Sequence, residues 1–188
     1  MSDIKYISKR VSYRELPHEI TVVISPRISR AKFTLLTTWL VLFTLCGLLM
    51  ASQLFVGGYD FYTKTGIFAF TAFWVWFIYK TGYAWFWRKS GREFIRIHDG
   101  QLTIKRAINN YGKTYSFLIG NIKGMDRRDL PERSFGAELE KSFWVVAGER
   151  LRFDYLGREI RFGLQLNDEE AKRLVQLFIK WFKNNKDN

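Results

Sequence analysis

Residues 33–56 hold no charged side chain, and no other feature of this 188-residue sequence limits its fold as tightly. As a helix they extend about 36 Å, enough to cross a hydrocarbon core about 30 Å thick. Thirteen of them are Leu, Phe or Val, each favouring insertion by about 0.3–0.6 kcal/mol, so together they outweigh the few Thr, Ser and Gln. The stretch is therefore expected to span a bilayer rather than fill a soluble core. A second apolar stretch, residues 66–87, carries one charge, Lys80. Its cost at mid-bilayer, about 2.5–3.5 kcal/mol, is offset by the surrounding Phe, Ile and Val. Lys80 lies about two turns from Arg88 and Lys89, so its ammonium is expected to snorkel to the headgroups, the alternative being a functional buried charge.

Arg27, Arg30 and Lys32 precede the first stretch and Arg88, Lys89 and Arg92 follow the second, whereas the connection 57–65 holds only Lys64. That asymmetry places both termini in the cytoplasm. The formal charge of +12 divides as +4 over residues 1–32, +1 over 33–87 and +7 over 88–188, without the concentrated patch of a nucleic-acid binder. Anionic lipid headgroups of the inner leaflet are the simpler partner for the six basic flanks. The polar arm is too long for the start of a secretory signal and no small-residue cleavage site follows, so the first span is expected to be retained. Cys46 is the one cysteine, which leaves no internal disulfide and no cysteine metal cluster.

The short connection contains Gly57-Gly58, so the spans are expected to pack as antiparallel neighbours, with Gly47 and Ala51 a small-residue pair suited to close approach. Half of residues 66–87 are aromatic. Those near Arg88 fit an interfacial belt, and the deeper ones suit either lipid tails or a larger apolar partner, with Trp74, Trp76 and Phe77 as candidate partner contacts.

Beyond Arg92 short alternating segments separated by turn residues signal an antiparallel sheet. Residues 94–97 and 102–107 flank Asp99-Gly100, a hairpin turn, and residues 115–118 follow a second turn at 109–112. Leu151, Phe153 and Tyr155 alternate with Arg152 and Asp154, and Ile160, Phe162 and Leu164 alternate with Glu159 and Arg161, across the turn 156–158. Residues 143–146 read as a further strand. Asn167 with Glu170 three residues on is a capping box for a helix carrying Ala171, Leu174, Val175, Phe178 and Phe182 on one face. Leu102, Ile104, Phe153, Ile160, Phe162, Leu174 and Phe178 are expected to share one core. Two further segments suggest protein contacts. Residues 123–141, long for a loop, hold Arg127, Arg128 and Arg133 among carboxylates, as either an interaction site or an ordinary solvated flap would. Residues 20–25, a β-branched run ended by Pro26, suit an edge strand added to the C-terminal sheet or to a partner.

The expected fold is thus an α+β membrane protein in three parts. Residues 1–32 form an arm with a short strand and 33–87 a two-helix transmembrane hairpin. Residues 88–188 form a small antiparallel β-sandwich or barrel closed by a C-terminal helix. Residues 157–164 followed by 167–171 resemble the closing strand and helix of bacterial pleckstrin-homology-like domains. The whole order, an aliphatic strand ending at Ser25-Pro26-Arg27-Ile28-Ser29, two spans and a strand-rich domain, resembles a bacterial family of two-span integral membrane proteins. Some of that family are encoded near respiratory oxidase genes. The resemblance implies a place in the bacterial inner membrane. Photosystem I assembly proteins share a similar two-span layout, without their soluble-domain signatures here.

His18 and His98 have no second His or Cys at ligand spacing, and no nucleophile elbow, phosphate-binding loop or His-Glu-x-x-His occurs. No enzyme, cofactor or metal site is expected. The loop at His98-Asp99-Gly100 is short and acidic where a phosphoinositide-binding pleckstrin-homology domain has a long basic one, which leaves only non-specific attraction to the leaflet. The leading expectation is a non-enzymatic accessory or assembly subunit of a larger inner-membrane complex, a respiratory oxidase by the resemblance. The alternative is a lipid-binding sensor or transport accessory at the membrane surface.

Overall fold

The computed structural model describes residues 3–56, 58–128 and 142–184. It is an α+β fold in which two long helices sit between neighbouring strands of one sheet. Three strands come first, β1 (Lys5–Tyr6), β2 (Val11–Leu16) and β3 (Glu19–Ile24), then helices α1 (Arg30–Ser52) and α2 (Phe61–Ser90), joined through a 3₁₀ turn at Gln53–Phe55. Strands β4 (Gly91–His98), β5 (Gln101–Ile108) and β6 (Thr114–Leu118) complete a six-stranded antiparallel sheet in the order β1-β2-β3-β4-β5-β6. A second sheet holds β7 (Ile122–Arg127), β8 (Glu149–Tyr155) and β9 (Arg158–Leu164), and the chain continues into α3 (Asp168–Asn184).

The β-branched run of the arm does dock within the chain, as an interior strand rather than an edge. Ile20, Val22 and Ile24 of β3 alternate inward and pair with Ile97, Ile95 and Glu93 of β4, while β2 covers the other side of β3. The arm therefore supplies three strands to the sheet of the C-terminal segment.

One core joins both sheets and α3. It holds Val11, Ile20, Val22, Ile95, Ile97, Leu102 and Ile104 from the first sheet, Leu151, Phe153 and Phe162 from the second, and Leu174 and Phe178 from α3, with Ile160 packed at its margin. The ring of Phe153 lies 5.3 Å from Phe117 of β6 and 5.6 Å from Phe162, in edge contacts that tie the sheets together. The capping box forms: the Glu170 amide donates to Asn167 Oδ1 at 2.7 Å, and the Asn167 amide to Glu170 Oε2 at 2.9 Å.

Three expectations of the fold are corrected. Among the described residues the sheets do not close into a barrel, because a 3₁₀ turn at Ile119–Asn121 carries the chain off β6 and β7 pairs with β8 alone. Residues 143–146 form no strand; bends run through 142–146, whose carbonyls accept from side chains instead of a neighbouring strand. Residues 123–127, expected in a loop, belong to β7, while Arg133 and residues 129–141 lie outside the described residues.

Among the described residues one helical stretch, Arg30–Phe55, is long and apolar enough to cross a membrane, as a span or a signal sequence would be. Its outer face is bare: Leu35, Val41, Leu42, Leu45, Leu48 and Leu49 are each more than half exposed. Helix α2 begins earlier than the apolar stretch suggests, because Asp60 caps it, its carboxylate accepting from the Tyr62 and Thr63 amides at 3.0 and 3.3 Å. The helices pack side by side. Gly47 receives the Trp74 indole where a Cβ would overlap the ring. Trp74 Nε1 donates to the Phe43 carbonyl at 3.0 Å and Trp85 Nε1 to Thr37 Oγ1 at 2.9 Å.

Candidate functional site at the base of the helical pair

Where β3 ends and β4 begins, the helices rise from the sheet with almost no connecting chain. Ser29 caps α1, its hydroxyl accepting from the Lys32 amide at 3.4 Å. Helix α2 runs directly into β4, because Gly91 turns the backbone while its amide still bonds the Trp87 carbonyl. A side chain at Gly91 would collide with Trp87, so this helix-to-strand step depends on glycine.

Inside this base lies Arg88, 4% exposed. Its guanidinium reaches the Pro26 carbonyl at 3.2 Å and the Ser142 and Val145 carbonyls at 3.5 Å. Gln165, held at a left-handed φ of 53°, donates to the same two carbonyls at 3.1 and 3.4 Å. Residues 142–146 are thereby drawn onto the helical pair, and Trp144 meets the Trp39 ring of α1 edge-on at 5.0 Å. Arg10 of the arm donates to the Gln165 carbonyl at 2.8 Å and to Glu170 at 2.9 Å. Burial alone would raise the Glu170 carboxyl, but hydrogen bonds from Ser8, the Asn167 amide and Arg10 outweigh it and hold the group below its ordinary range.

A buried ion pair stands beside this cluster. Glu93 is fully buried on the face of β4 that carries Ile95 and Ile97. Its carboxylate accepts from Arg106 Nε at 3.0 Å and from the Leu164 amide at 2.8 Å, and Arg106 also meets Glu149 at 3.1 Å. The pair lies within the first sheet, and its contacts to Leu164 and Glu149 tie it to the second.

Around the outside, two clefts open. One of about 340 Å³ is lined by Ser25, Arg27, Lys89, Arg92, Asn109 and Asn110. The other, about 430 Å³, is lined by Arg27, Arg30, Phe33, Thr34, Arg88 and Lys89. Arg27 and Lys89 wall both, and among the described residues no carboxylate lines either. Lys89 rests 4.7 Å over the Trp85 ring, a cation–π contact that keeps it at the helix surface.

The basic flanks thus divide. Arg27, Arg30, Lys89 and Arg92 converge on the clefts, and Lys32 is exposed beside them. Arg88 does not face the surface as expected, because its guanidinium is spent on backbone carbonyls within the base. Of the aromatic contacts, Trp74 is also corrected: at 8% exposed it fills the groove over Gly47 and presents nothing outward. Phe77 is half-buried between Trp39 and Phe43, at ring distances of 5.8 and 5.5 Å, while Trp76 is exposed. Lys80 is exposed, its ammonium 6.0 Å from the Trp76 ring. Arg127 lies 3.9 Å from Asp168, and the Arg128 amide donates to the Arg150 carbonyl, both at the start of α3 and beside β8. Sequence reasoning missed Glu93, whose signal is a carboxylate in the inward register of Ile95 and Ile97. It also missed Arg10 and Gln165, for which no local signal exists. No family model, curated protein sequence or solved structure matches the chain.

Proposed function

We propose that the protein is a non-enzymatic accessory or assembly subunit of a bacterial inner-membrane complex, anchored by α1 and α2 as a two-span hairpin with both termini cytoplasmic. One observation carries the anchoring: β3, before α1, pairs along its length with β4, after α2. A chain that leaves the cytoplasm on α1 must return on α2 before that sheet can form. The same pairing argues against a cleaved leader, since β1, β2 and β3 all precede α1 in sequence and belong to the sheet. Helix α2, 30 residues and about 45 Å long, has the reach, and its aromatic content lowers its hydropathy without making it polar. The absence of a linker suits a part that fixes a cytoplasmic module at a set place beside a partner.

The partner surface is an aromatic stripe on α2. Trp76, Tyr79, Tyr83 and Phe86 recur at helical spacing and are 55, 69, 44 and 54% exposed. Rigid rings give large contact area for little lost side-chain entropy, and in hydrocarbon that packing must supply the association energy. The oxidase as partner follows from the resemblance in chain order. The pleckstrin-homology-like character of the cytoplasmic module is likewise part of this proposal.

Affinity purification in mild detergent tests it. The wild-type chain is expected to bring a stoichiometric integral membrane partner, and Trp76→Leu/Tyr79→Leu/Tyr83→Leu to insert normally yet lose it. Elution of the wild-type chain alone would end the accessory-subunit reading. A lipid-binding sensor or transport accessory would then lead, a reading favoured by the clefts at the helix base.

A further inference from the structure

Several cations elsewhere on this protein are answered by carboxylates. Arg96 pairs with Glu19, Arg106 with Glu93 and Glu149, Arg150 with Asp168, Arg152 with Glu159 and Arg10 with Glu170. Arg27, Arg30, Lys89 and Arg92 are the contrast: among the described residues none of the four forms an ion pair, and all four line the two clefts. A cluster of unanswered cations around a concavity costs self-repulsion unless an anion occupies it.

We propose that the two clefts form one site for the phosphate-bearing headgroup of an anionic phospholipid. This rests on the reading of α1 and α2 as membrane spans, which sets the clefts at the level of the headgroups. Guanidinium forks on Arg27 and Arg92 suit phosphate oxygens, and Lys89, pinned over Trp85, adds a point charge between the clefts. The first turn of α1 contributes the positive end of its dipole at Arg30. Chemistry changes along the site in the order that a phospholipid presents it. Ser25, Asn109 and Asn110 face the polar end, the cations follow, and Phe33 and Thr34 begin the apolar surface of α1 along which acyl chains continue. A free phosphate ion would use the cations but not that apolar wall.

Full-length protein in a mild neutral detergent provides the test, titrated with phosphatidylglycerol or phosphatidylcholine of the same chains and bound lipid counted by native mass spectrometry. Phosphatidylglycerol should bind in preference. Arg27→Gln/Lys89→Gln/Arg92→Gln should weaken it about a hundredfold, at about fivefold per charge, while Arg158→Gln at the distant β8–β9 turn changes it less than about twofold. All three replaced side chains are exposed, and an unchanged melting temperature verifies that the variant is folded. Equal loss in Arg158→Gln would mean diffuse attraction and overturn the site. Complete displacement by excess inorganic phosphate would overturn the lipid as ligand in favour of a soluble phosphate. Alkaline carbonate washing of membranes separates the two levels. A chain released by the wash refutes the spans and the site together; a chain retained, yet indifferent to phosphatidylglycerol, refutes the site alone.

Discussion

A carboxylate with no exposed surface persists in a fold only when its charge is answered, and Glu93 is answered by one guanidinium and one amide. Arg106→Met keeps the apolar stem but leaves that carboxylate with the Leu164 amide alone. It should destabilise the protein by about 3–5 kcal/mol. Arg152→Met removes a pair with Glu159 on the solvent face and should cost far less. Urea unfolding of both variants in detergent, followed by far-ultraviolet circular dichroism, gives the comparison; equal midpoints would show that the pair contributes no more than a surface one.

Between elements, the fit of Gly47 against Trp74 decides how closely α1 and α2 approach. Gly47→Val should destabilise the helical pair by about 1–3 kcal/mol through overpacking, and Trp74→Ala in the same chain should recover part of the loss by opening the space. Thermal melting of the single and double variants measures this; purely additive losses would mean that the two residues do not meet. Elements whose determinants are local were legible in the sequence. The box Asn167–Glu170 marked the start of α3, and alternation marked β8 and β9, although Arg158, expected in the turn, opens β9 opposite Tyr155, so that Leu151 faces Phe162 and Phe153 faces Ile160. Strand β7 was hidden by Gly124, by mixed charge and by the register shift between Lys123 and Asp126. Residues 142–146 have strand composition but answer to Arg88 and Gln165, which are distant in sequence. An α2 aromatic on every side gave periodicity no means of telling Trp74, turned inward, from Trp76, turned outward.

For the whole molecule, if α1 and α2 span a bilayer as proposed, the pairing of β3 with β4 requires that the chain enter and leave the helical pair on one side of the membrane. In that proposal the basic flanks make that side the cytoplasm. In a Cys46→Ser background, Tyr59→Cys is expected to react with a membrane-impermeant maleimide in intact cells, and Arg158→Cys only after lysis. Reaction of both in intact cells would reverse the topology. The placement of the helices between two paired strands also sets a timetable for synthesis. Strand β3 leaves the ribosome 66 residues before β4, a wait of roughly 3–13 s at usual translation rates. Throughout that interval its β-branched edge has no partner on the β4 side, and such an edge invites pairing with any other exposed strand. Synthesis of the helices therefore has to keep pace with the exposure of that edge, and a stall between residues 25 and 90 would strand an aggregation-prone hairpin of β2 and β3 on the nascent chain.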